Sequence, residues 1–399
     1  MIIPYLRQDL EIFRGNSRED GSPAWLLYDA VRNKYFTVGL TAFRLIKNWR
    51  GGEDIQNFEK KINSQGIETT GDEIKSFIGF LQQNNLIIQP QGQGVPYLMQ
   101  QKNSLKKSWI MNLIHSYLFF KIPLFTPDEW LGRTFSKVKF LGSKKIRNII
   151  YILGFIGLFL VIQQFENFAK TFLYFFSFKG LMIYFITLVF VKCLHELGHA
   201  YIAKYHGCRV SAIGIAFLVF FPFLYTDTTD AWRLRNHKDR LLINFAGILT
   251  ELHLALIATF IWGILPEGGL KSAAFFIATT SWISSIAINV SPFMRFDGYY
   301  IFSDWLKAEN LQPRSFALAK WKTRETLFGF NHKPPEEINP SRRWTFIVYA
   351  WATWVYRFFL FLGIALLVYH FAFKILGIIL FVIEIHWFIL LPIIREIKN

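Results

Sequence analysis

The segment His195-Glu196-Leu197-Gly198-His199 places two imidazoles four residues apart. On an α-helix, residues four apart lie on one face, so both rings could hold a single Zn²⁺ ion. Glu196 could then act as the general base of a hydrolysis. The alternative is a pair of hydrogen-bonded core histidines, but burying two histidines and a glutamate in an apolar run without a purpose would be costly. The spacing therefore predicts a metal-dependent hydrolytic site.

A catalytic zinc ion keeps three protein ligands and one open position, so a third ligand must come from another segment. The best candidate is Asp297, which follows the helix-breaking Pro292 and precedes Gly298. A proline followed by a glycine lets the chain turn, so that the carboxylate can point inward. We therefore expect one zinc ion, held by His195, His199 and Asp297.

Other potential ligands fit this site less well. His206 shares the helix face of the two histidines but lies about 10 Å further along by helix rise. Asp227 and Asp230 fall in a turn-rich loop, and Glu251 lies in the middle of an apolar run, where it can pair with Lys192. Lys192 could alternatively stabilise negative charge on a scissile carbonyl. We favour its pairing with Glu251.

The elements that must position these residues are apolar. The chain has 399 residues, of which 52% are hydrophobic, and a formal net charge of +16. This composition excludes intrinsic disorder, and two cysteines exclude a disulfide framework. Apolar runs of about 20 residues predict six membrane spans. They cover residues 148–164, 182–204, 241–264, 272–293, 346–370 and 374–393.

The distribution of positive charge predicts the orientation of these spans. Lys and Arg number 26 in the segments on one side and 4 on the other. The side that is richer in Lys and Arg faces the cytoplasm, so both termini and both large loops are expected there. Two ionisable residues in the last two spans, Arg357 and Glu384, are expected to pair, because unpaired charge is costly within a membrane.

The pattern of short strands and helices in residues 1–100 predicts a separate cytoplasmic domain of the winged-helix type. They contain 11 Lys and Arg and 11 Asp and Glu, so they carry no net charge, which argues against binding of nucleic acid. Short strands are predicted at Leu10–Arg14, Trp25–Tyr28 and Lys34–Thr37, and helices at Thr41–Trp49, Asp54–Ser64 and Asp72–Asn84, with Leu86–Ile88 closing the domain.

Residues 101–147 predict a basic juxtamembrane segment, because they contain 10 basic and 2 acidic residues interleaved with aromatic ones. Such an amphipathic segment would lie on anionic lipid. Residues 148–399 would form the membrane domain.

The metal motif, with Asp297-Gly298 about a hundred residues later, resembles that of the site-2 protease family of zinc intramembrane metalloproteases. Phe296–Tyr300 is similar to the Phe-Asp-Gly-Tyr-Tyr motif of its peptide zinc metalloprotease branch. The resemblance covers roughly residues 120–399. It implies an α-helical polytopic protein of the bacterial cytoplasmic membrane, with a zinc metalloprotease core. Glu196 would take a proton from water and return it to the leaving amine.

The family usually has Asn before the proline of its Asp-Gly motif, and here Ser291 holds that place, with Asn289 two residues earlier. The resemblance implies that one of these residues binds the substrate backbone. Val210–Phe221 resembles the family's membrane-associated hairpin, whose edge strand could receive an unwound substrate.

The N-terminal domain resembles the PqqD-like module that binds leader peptides of ribosomally made natural products. The implied function is cleavage of a peptide during its maturation or export, with a peptide exporter or modifying enzymes as partners. One alternative is regulated intramembrane proteolysis of a membrane-bound regulator. Another is a non-catalytic protein that binds or helps to export a peptide.

Overall fold

The computed structural model describes residues 2–15, 22–66, 68–88, 119–173, 177–218, 221–234, 236–329, 331–371, 374–386, 390–391 and 394. It divides into two compact units, Met1–Trp282 and Ile283–Asn399. Each unit is described by itself.

The first unit begins with a small α/β head, which comprises residues 2–88. Its elements are β1 (Leu10–Arg14), β2 (Trp25–Asp29), β3 (Lys34–Val38), α1 (Leu40–Lys47), α2 (Ile55–Ser64) and α3 (Gly71–Gln83). The strands form an antiparallel sheet in the order β1-β2-β3. All three begin and end within one residue of the prediction. At the end of the head, Ile87 forms an isolated antiparallel bridge with Leu6.

The head has a hydrophobic core and a buried ion pair of its own. Helix α3 begins at a capping box, in which Thr70 and Glu73 exchange side-chain and backbone hydrogen bonds. The apolar faces of the three helices meet over Phe58, which is fully buried. Asp29 is also fully buried, and its carboxylate accepts a hydrogen bond from Arg7 at 2.9 Å. This pairing offsets the cost of burying the charge.

The rest of the first unit carries apolar helices and a second sheet. Its elements are β4 (Phe119–Phe125), α4 (Asp128–Val138), α5 (Lys144–Gln163), α6 (Phe165–Leu173), α7 (Phe178–Tyr205), β5 (Ile213–Leu218), β6 (Phe221–Thr226), α8 (His237–Ile264) and α9 (Gly269–Ile283). Residues 101–118 of the predicted juxtamembrane segment lie outside the described residues.

Close packing of α8 against its neighbours depends on glycine. A Cβ atom at Gly154 of α5 would lie 2.4 Å from Leu256, and one at Gly157 would lie 2.5 Å from the backbone of Phe260. On α7, a Cβ atom at Gly198 would lie 2.3 Å from the hydroxyl of Thr250. Helices α5 and α7 can therefore approach α8 closely only because these positions have no side chain.

The second sheet corrects one detail of the predicted hairpin. Its strands are antiparallel in the order β4-β5-β6, so β5 is the central strand and is paired on both sides. The hairpin itself exists, but β5 cannot accept another strand, because β4 from the juxtamembrane segment already occupies that side. Strand β6 forms one edge of the sheet.

The second unit consists of helices. Helix α9 passes into a π-helix (Ser284–Asn289), which is followed by α10 (Asp297–Trp305), α11 (Leu311–Phe328), α12 (Pro340–Phe371) and α13 (Lys374–Ile385). Its core joins α10, α11 and α12 around Tyr299, Leu318 and Phe346.

Four helices in the described part of the chain are long and apolar enough to cross a membrane. They are Lys144–Gln163, Phe178–Tyr205, His237–Ile264 and Pro340–His370. The predicted span 272–293 is instead the 15-residue α9 followed by the π-helix. The predicted span 374–393 corresponds to the 12-residue α13, with residues 387–389 and 392–393 outside the described residues.

Candidate metal centre

The two histidines of the motif lie on one face of α7, as their spacing predicts. Their side chains are buried, and their Nε2 atoms lie 3.2 Å apart. Helix α7 is capped at its start by Ser177, whose hydroxyl accepts a hydrogen bond from the Gly180 amide. The chain leaves the helix at Gly207, which has a positive φ of 73°. The pair therefore belongs to a regular, capped helix rather than to a loop.

Helix α8 holds the other nitrogen of each ring. The Nδ1 atom of His199 lies 2.8 Å from the backbone carbonyl of Ile243. The Nδ1 atom of His195 lies 2.9 Å from Oε1 of Glu251. A carbonyl only accepts hydrogen bonds, so His199 donates through Nδ1, and its neutral ring keeps a lone pair on Nε2.

This arrangement fits a zinc ion. The two Nε2 atoms face each other at 3.2 Å, and both rings are buried. Two nitrogens bound to one tetrahedral zinc ion at about 2.0–2.1 Å would lie about 3.3 Å apart. Metal-bound histidines in proteins also donate their second N–H to a carboxylate or a carbonyl, and here the Ile243 carbonyl lies beside Nδ1 of His199 and the Glu251 carboxylate beside Nδ1 of His195.

Glu251 connects the histidine pair to Lys192. The Glu251 side chain is fully buried, and its Oε1 accepts a hydrogen bond from Lys192 Nζ at 2.7 Å. The pairing of Lys192 with Glu251 that the sequence predicts is therefore confirmed. The ammonium group balances the carboxylate, which in turn fixes the orientation of the His195 ring.

Gly247 leaves the space in front of the two rings open. A Cβ atom at this position would lie 2.4 Å from Nε2 of His195 and 2.5 Å from Nε2 of His199. Any larger residue would fill the volume that an ion between the rings requires. Gly247 therefore leaves room for an ion between the rings, and its role is not to make α8 flexible.

Glu196 is attached to the second sheet through its backbone. The hydroxyl of Thr226, the last residue of β6, donates to the Glu196 carbonyl at 3.0 Å. The Glu196 side chain is only partly buried. The predicted general base therefore lies where α7 meets β6.

The head contacts the chain immediately after β6. Asn33, at the tip of the β2–β3 hairpin, donates to Asp227 at 3.1 Å, and the hydroxyl of Tyr35 donates to Asp230 at 2.6 Å. Burial alone would raise the pKa of Asp227, but hydrogen bonds from Ser211, Thr229 and Asn33 hold it below its ordinary value. Burial and the bond to Asp230 raise the pKa of Tyr35.

Asp297, the predicted third ligand, belongs to the second unit, where it is the first residue of α10. A Cβ atom at the following Gly298 would lie 2.3 Å from the carbonyl oxygen of Val290. The Asp-Gly pair thus reflects close packing of the first turn of α10 on the end of the π-helix. Asn289 is buried at that end, and the buried Oγ atom of Ser291 has no hydrogen-bond partner among the described residues.

The predicted pairing of Arg357 with Glu384 is wrong. Arg357 donates from Nε and Nη2 to the carbonyl oxygen of Phe293, at 3.2 and 3.1 Å. Within the described part of the chain no ion pair joins it to Glu384. The reason is local: Pro292 interrupts the helix, so nearby carbonyls need donors from elsewhere.

Sequence reasoning missed three contributions to the histidine pair. The carbonyl of Ile243 has no signature in a sequence, since every residue carries one. The Glu251–His195 contact could have been inferred only from an isolated acid in an apolar run. The role of Gly247 depends on which face of α8 meets α7.

The part of the chain that contains the histidine pair is similar to a known protein family. Residues 182–296 match the family model of peptidase family M50, and this range contains both histidines. The chain is also similar to "Putative peptide zinc metalloprotease protein YydH" of Bacillus subtilis (strain 168), with 25% identity over 130 residues. The aligned residues make up 32% of this chain and 48% of that protein. The match thus spans about half the length of this relative. No solved structure matches the chain.

Residues 182–296 are thus similar to peptidase family M50, the family of the site-2 proteases. Members of this family are zinc metalloproteases. Together with the four apolar helices, the match indicates a membrane protein.

Proposed function

We propose that this protein is a zinc-dependent endopeptidase that hydrolyses a peptide bond within or at the surface of a membrane. The observation that carries the proposal is the histidine pair, in which two Nε2 atoms face each other at 3.2 Å while the Nδ1 atoms lie 2.8 and 2.9 Å from oxygen atoms of α8. Two buried imidazoles whose Nε2 atoms face each other suit a divalent ion. The M50 match supports the same assignment.

We propose Asp297 as the third ligand of a single zinc ion. Two imidazoles and one carboxylate are a donor set that zinc uses in hydrolases, and the Asp-Gly motif that follows Pro292 offers the carboxylate. Gly298 fixes the start of α10, so the direction of the Asp297 side chain is restricted. A site with three protein ligands leaves one position open for the reaction.

Zinc would supply a Lewis acid that polarises the scissile carbonyl and makes a nearby water molecule more acidic. Glu196 would take the proton from that water and pass it to the leaving amine. The bond from Thr226 to the Glu196 carbonyl holds this turn of α7 in place. Glu251 and Lys192 would orient His195 rather than act on the substrate.

We propose that the substrate binds as an extended strand along the outer edge of β6. In the described part of the structure this strand pairs with β5 alone, and its last residue contacts Glu196. Strand addition would separate a peptide bond from its helical hydrogen bonds and expose it to attack. Ser291, with its unpaired Oγ atom, or Asn289 would bind the substrate backbone.

We propose that the substrate is a membrane-associated or leader-bearing peptide, cleaved during maturation or export of a ribosomally synthesised product. The name of the similar Bacillus protein describes a peptide zinc metalloprotease, which supports a peptide substrate. The head would bind the leader, and its contact with the chain after β6 would bring the peptide near Glu196. The protein would lie in the bacterial cytoplasmic membrane with both termini in the cytoplasm, beside an exporter or modifying enzymes.

The proposal is tested by comparing the full-length protein with its Glu196→Gln variant. We expect both to contain one zinc ion per chain, because Glu196 is not a ligand. We expect cleavage to fall by about 10²–10⁴-fold in the variant, the usual contribution of a general base. Metal analysis and mass spectrometry of membrane peptides from cells with either form would measure this. Folded wild-type protein without zinc, or a variant that cleaves at the wild-type rate, would contradict it.

A further inference from the structure

The segment between the π-helix and α10 lacks regular backbone hydrogen bonding. Pro292 has no N–H to donate, and it prevents the preceding helix from continuing. The carbonyls of Pro292 and Phe293 therefore need donors from outside the segment. Only three residues separate Phe293 from Asp297, so whatever holds these carbonyls also restricts where the Asp297 carboxylate can lie.

Helix α12 supplies those donors. Arg357 donates from Nε and Nη2 to the Phe293 carbonyl at 3.2 and 3.1 Å, and the hydroxyl of Tyr349 donates to the Pro292 carbonyl at 2.9 Å. Tyr349 and Arg357 are eight residues apart, so they lie on one stripe of the helix. The Phe293 ring also packs against Tyr356 in a tilted arrangement, with centroids 5.0 Å apart.

Helix α11 reinforces this arrangement from the other side. The Gln312 side chain accepts a hydrogen bond from Nε of Arg295 at 2.9 Å, and its backbone amide donates to the Tyr299 hydroxyl at 3.3 Å. Arg295 and Tyr299 lie on either side of Asp297 in the chain. The turn that presents Asp297 is thus attached to α11 before and after the carboxylate.

Placing an arginine in an apolar helix costs free energy, so its contacts must offset that cost. Here the guanidinium contacts a carbonyl rather than an acidic side chain, and the carbonyl belongs to the segment that leads to Asp297. We propose that Arg357 and Tyr349 are positioning residues, which fix this segment so that Asp297 can bind the metal. This inference rests on the proposed function, because it requires Asp297 to be a ligand.

The test compares metal binding by the full-length protein and an Arg357→Met variant. We expect the variant to bind zinc about 10–100-fold more weakly, as is typical when a partner that orients a ligand is removed. Zinc affinity would be measured by competition with a chelator. The absorption spectrum of the cobalt-substituted protein would report a changed ligand geometry, which a merely structural role would not alter.

The chain offers a matched control on the same helix. Arg342 also donates to backbone carbonyls, those of Leu306 and Lys307, but these follow α10 rather than precede Asp297. Arg342→Met should therefore leave the zinc affinity within about twofold of wild type and the cobalt spectrum unchanged. Arg357→Lys, which keeps a cation and a donor, should recover part of the affinity.

The outcomes separate the two proposals. If the wild type binds zinc and Arg357→Met binds it equally tightly with the same cobalt spectrum, the positioning role is wrong and the proposed function stands. If the wild type binds no zinc, both are wrong. Should Arg357→Met fail to fold, Tyr349→Phe decides: a lower affinity with an altered spectrum supports the positioning role, and an unchanged affinity and spectrum overturn it.

Discussion

The histidine pair and the contact between head and chain are both polar clusters of the first unit, but they are assembled differently. The pair comes from one helix, and its members are four positions apart in the sequence. The contact joins Asn33 to Asp227 and Tyr35 to Asp230, across 194 and 195 residues. The pair is buried and depends on α8 for orientation, whereas the contact is partly exposed to water. The spacing of two residues thus brings the imidazoles together, whereas contacts between distant parts of the sequence place the head beside the chain after β6.

The largest effect should follow from removing one member of the pair. We expect His199→Ala to lose stoichiometric zinc, because one imidazole and one carboxylate form an incomplete site. The matched control is His206→Ala, since His206 follows α7 and its Nδ1 atom lies 3.9 Å from Asp239 rather than near the pair. Metal analysis of both purified proteins measures the difference. Full zinc content in His199→Ala would show that the pair is not the metal site.

A smaller loss should follow from changing the group that orients His195. We expect Glu251→Gln to weaken zinc binding by about 10–100-fold, because a neutral amide is a poorer acceptor for the Nδ1 proton. Competition with a chelator measures the affinity. Glu384→Gln, a matching change in the apolar helix α13, should have no effect. Equal affinities for the two variants would contradict the role of Glu251.

Filling the space in front of the rings should have a more modest effect. We expect Gly247→Ala to weaken zinc binding about tenfold, since the added methyl group would displace both rings, and overpacking typically costs about 1–3 kcal/mol. Gly363→Ala is the control, because a Cβ atom there meets nothing within 4 Å. The same chelator competition applies. An unchanged affinity in Gly247→Ala would mean that the rings adjust without cost.

The smallest effect should be that of low pH on the stability of the contact between the head and the chain after β6. The pKa of Asp227 is held below its ordinary value, so its contribution to stability is present above about pH 4 and is lost as the pH falls through the lowered pKa. We expect this loss to amount to about 1 kcal/mol. Thermal unfolding should be measured between pH 7 and pH 3 for the wild type and for Asp227→Asn. The wild type should lose more stability over this range than the variant does. Identical pH profiles for both proteins would refute the contribution.

Agreement between sequence and structure was best where the signal was local. The head strands and the histidine spacing follow from patterns within ten residues, and Lys192–Glu251 follows from the cost of isolated charge. The same cost argument failed for Arg357, because a backbone carbonyl can satisfy a guanidinium as well as Glu384 could. The predicted span 272–293 also differs, since hydropathy does not reveal that a π-helix interrupts the run after α9. The predicted span 374–393 lies partly outside the described residues.

By itself, the sequence determined that the two imidazoles lie together, because residues four apart on a helix, such as His195 and His199, share one face wherever that helix lies. Only the tertiary structure decided how the rings are oriented. That depends on α8 approaching α7 closely enough for the Ile243 carbonyl and Glu251 to reach Nδ1, which the absence of side chains at Gly198 and Gly247 permits. Such an approach is a property of two packed surfaces, and no single stretch of sequence encodes it.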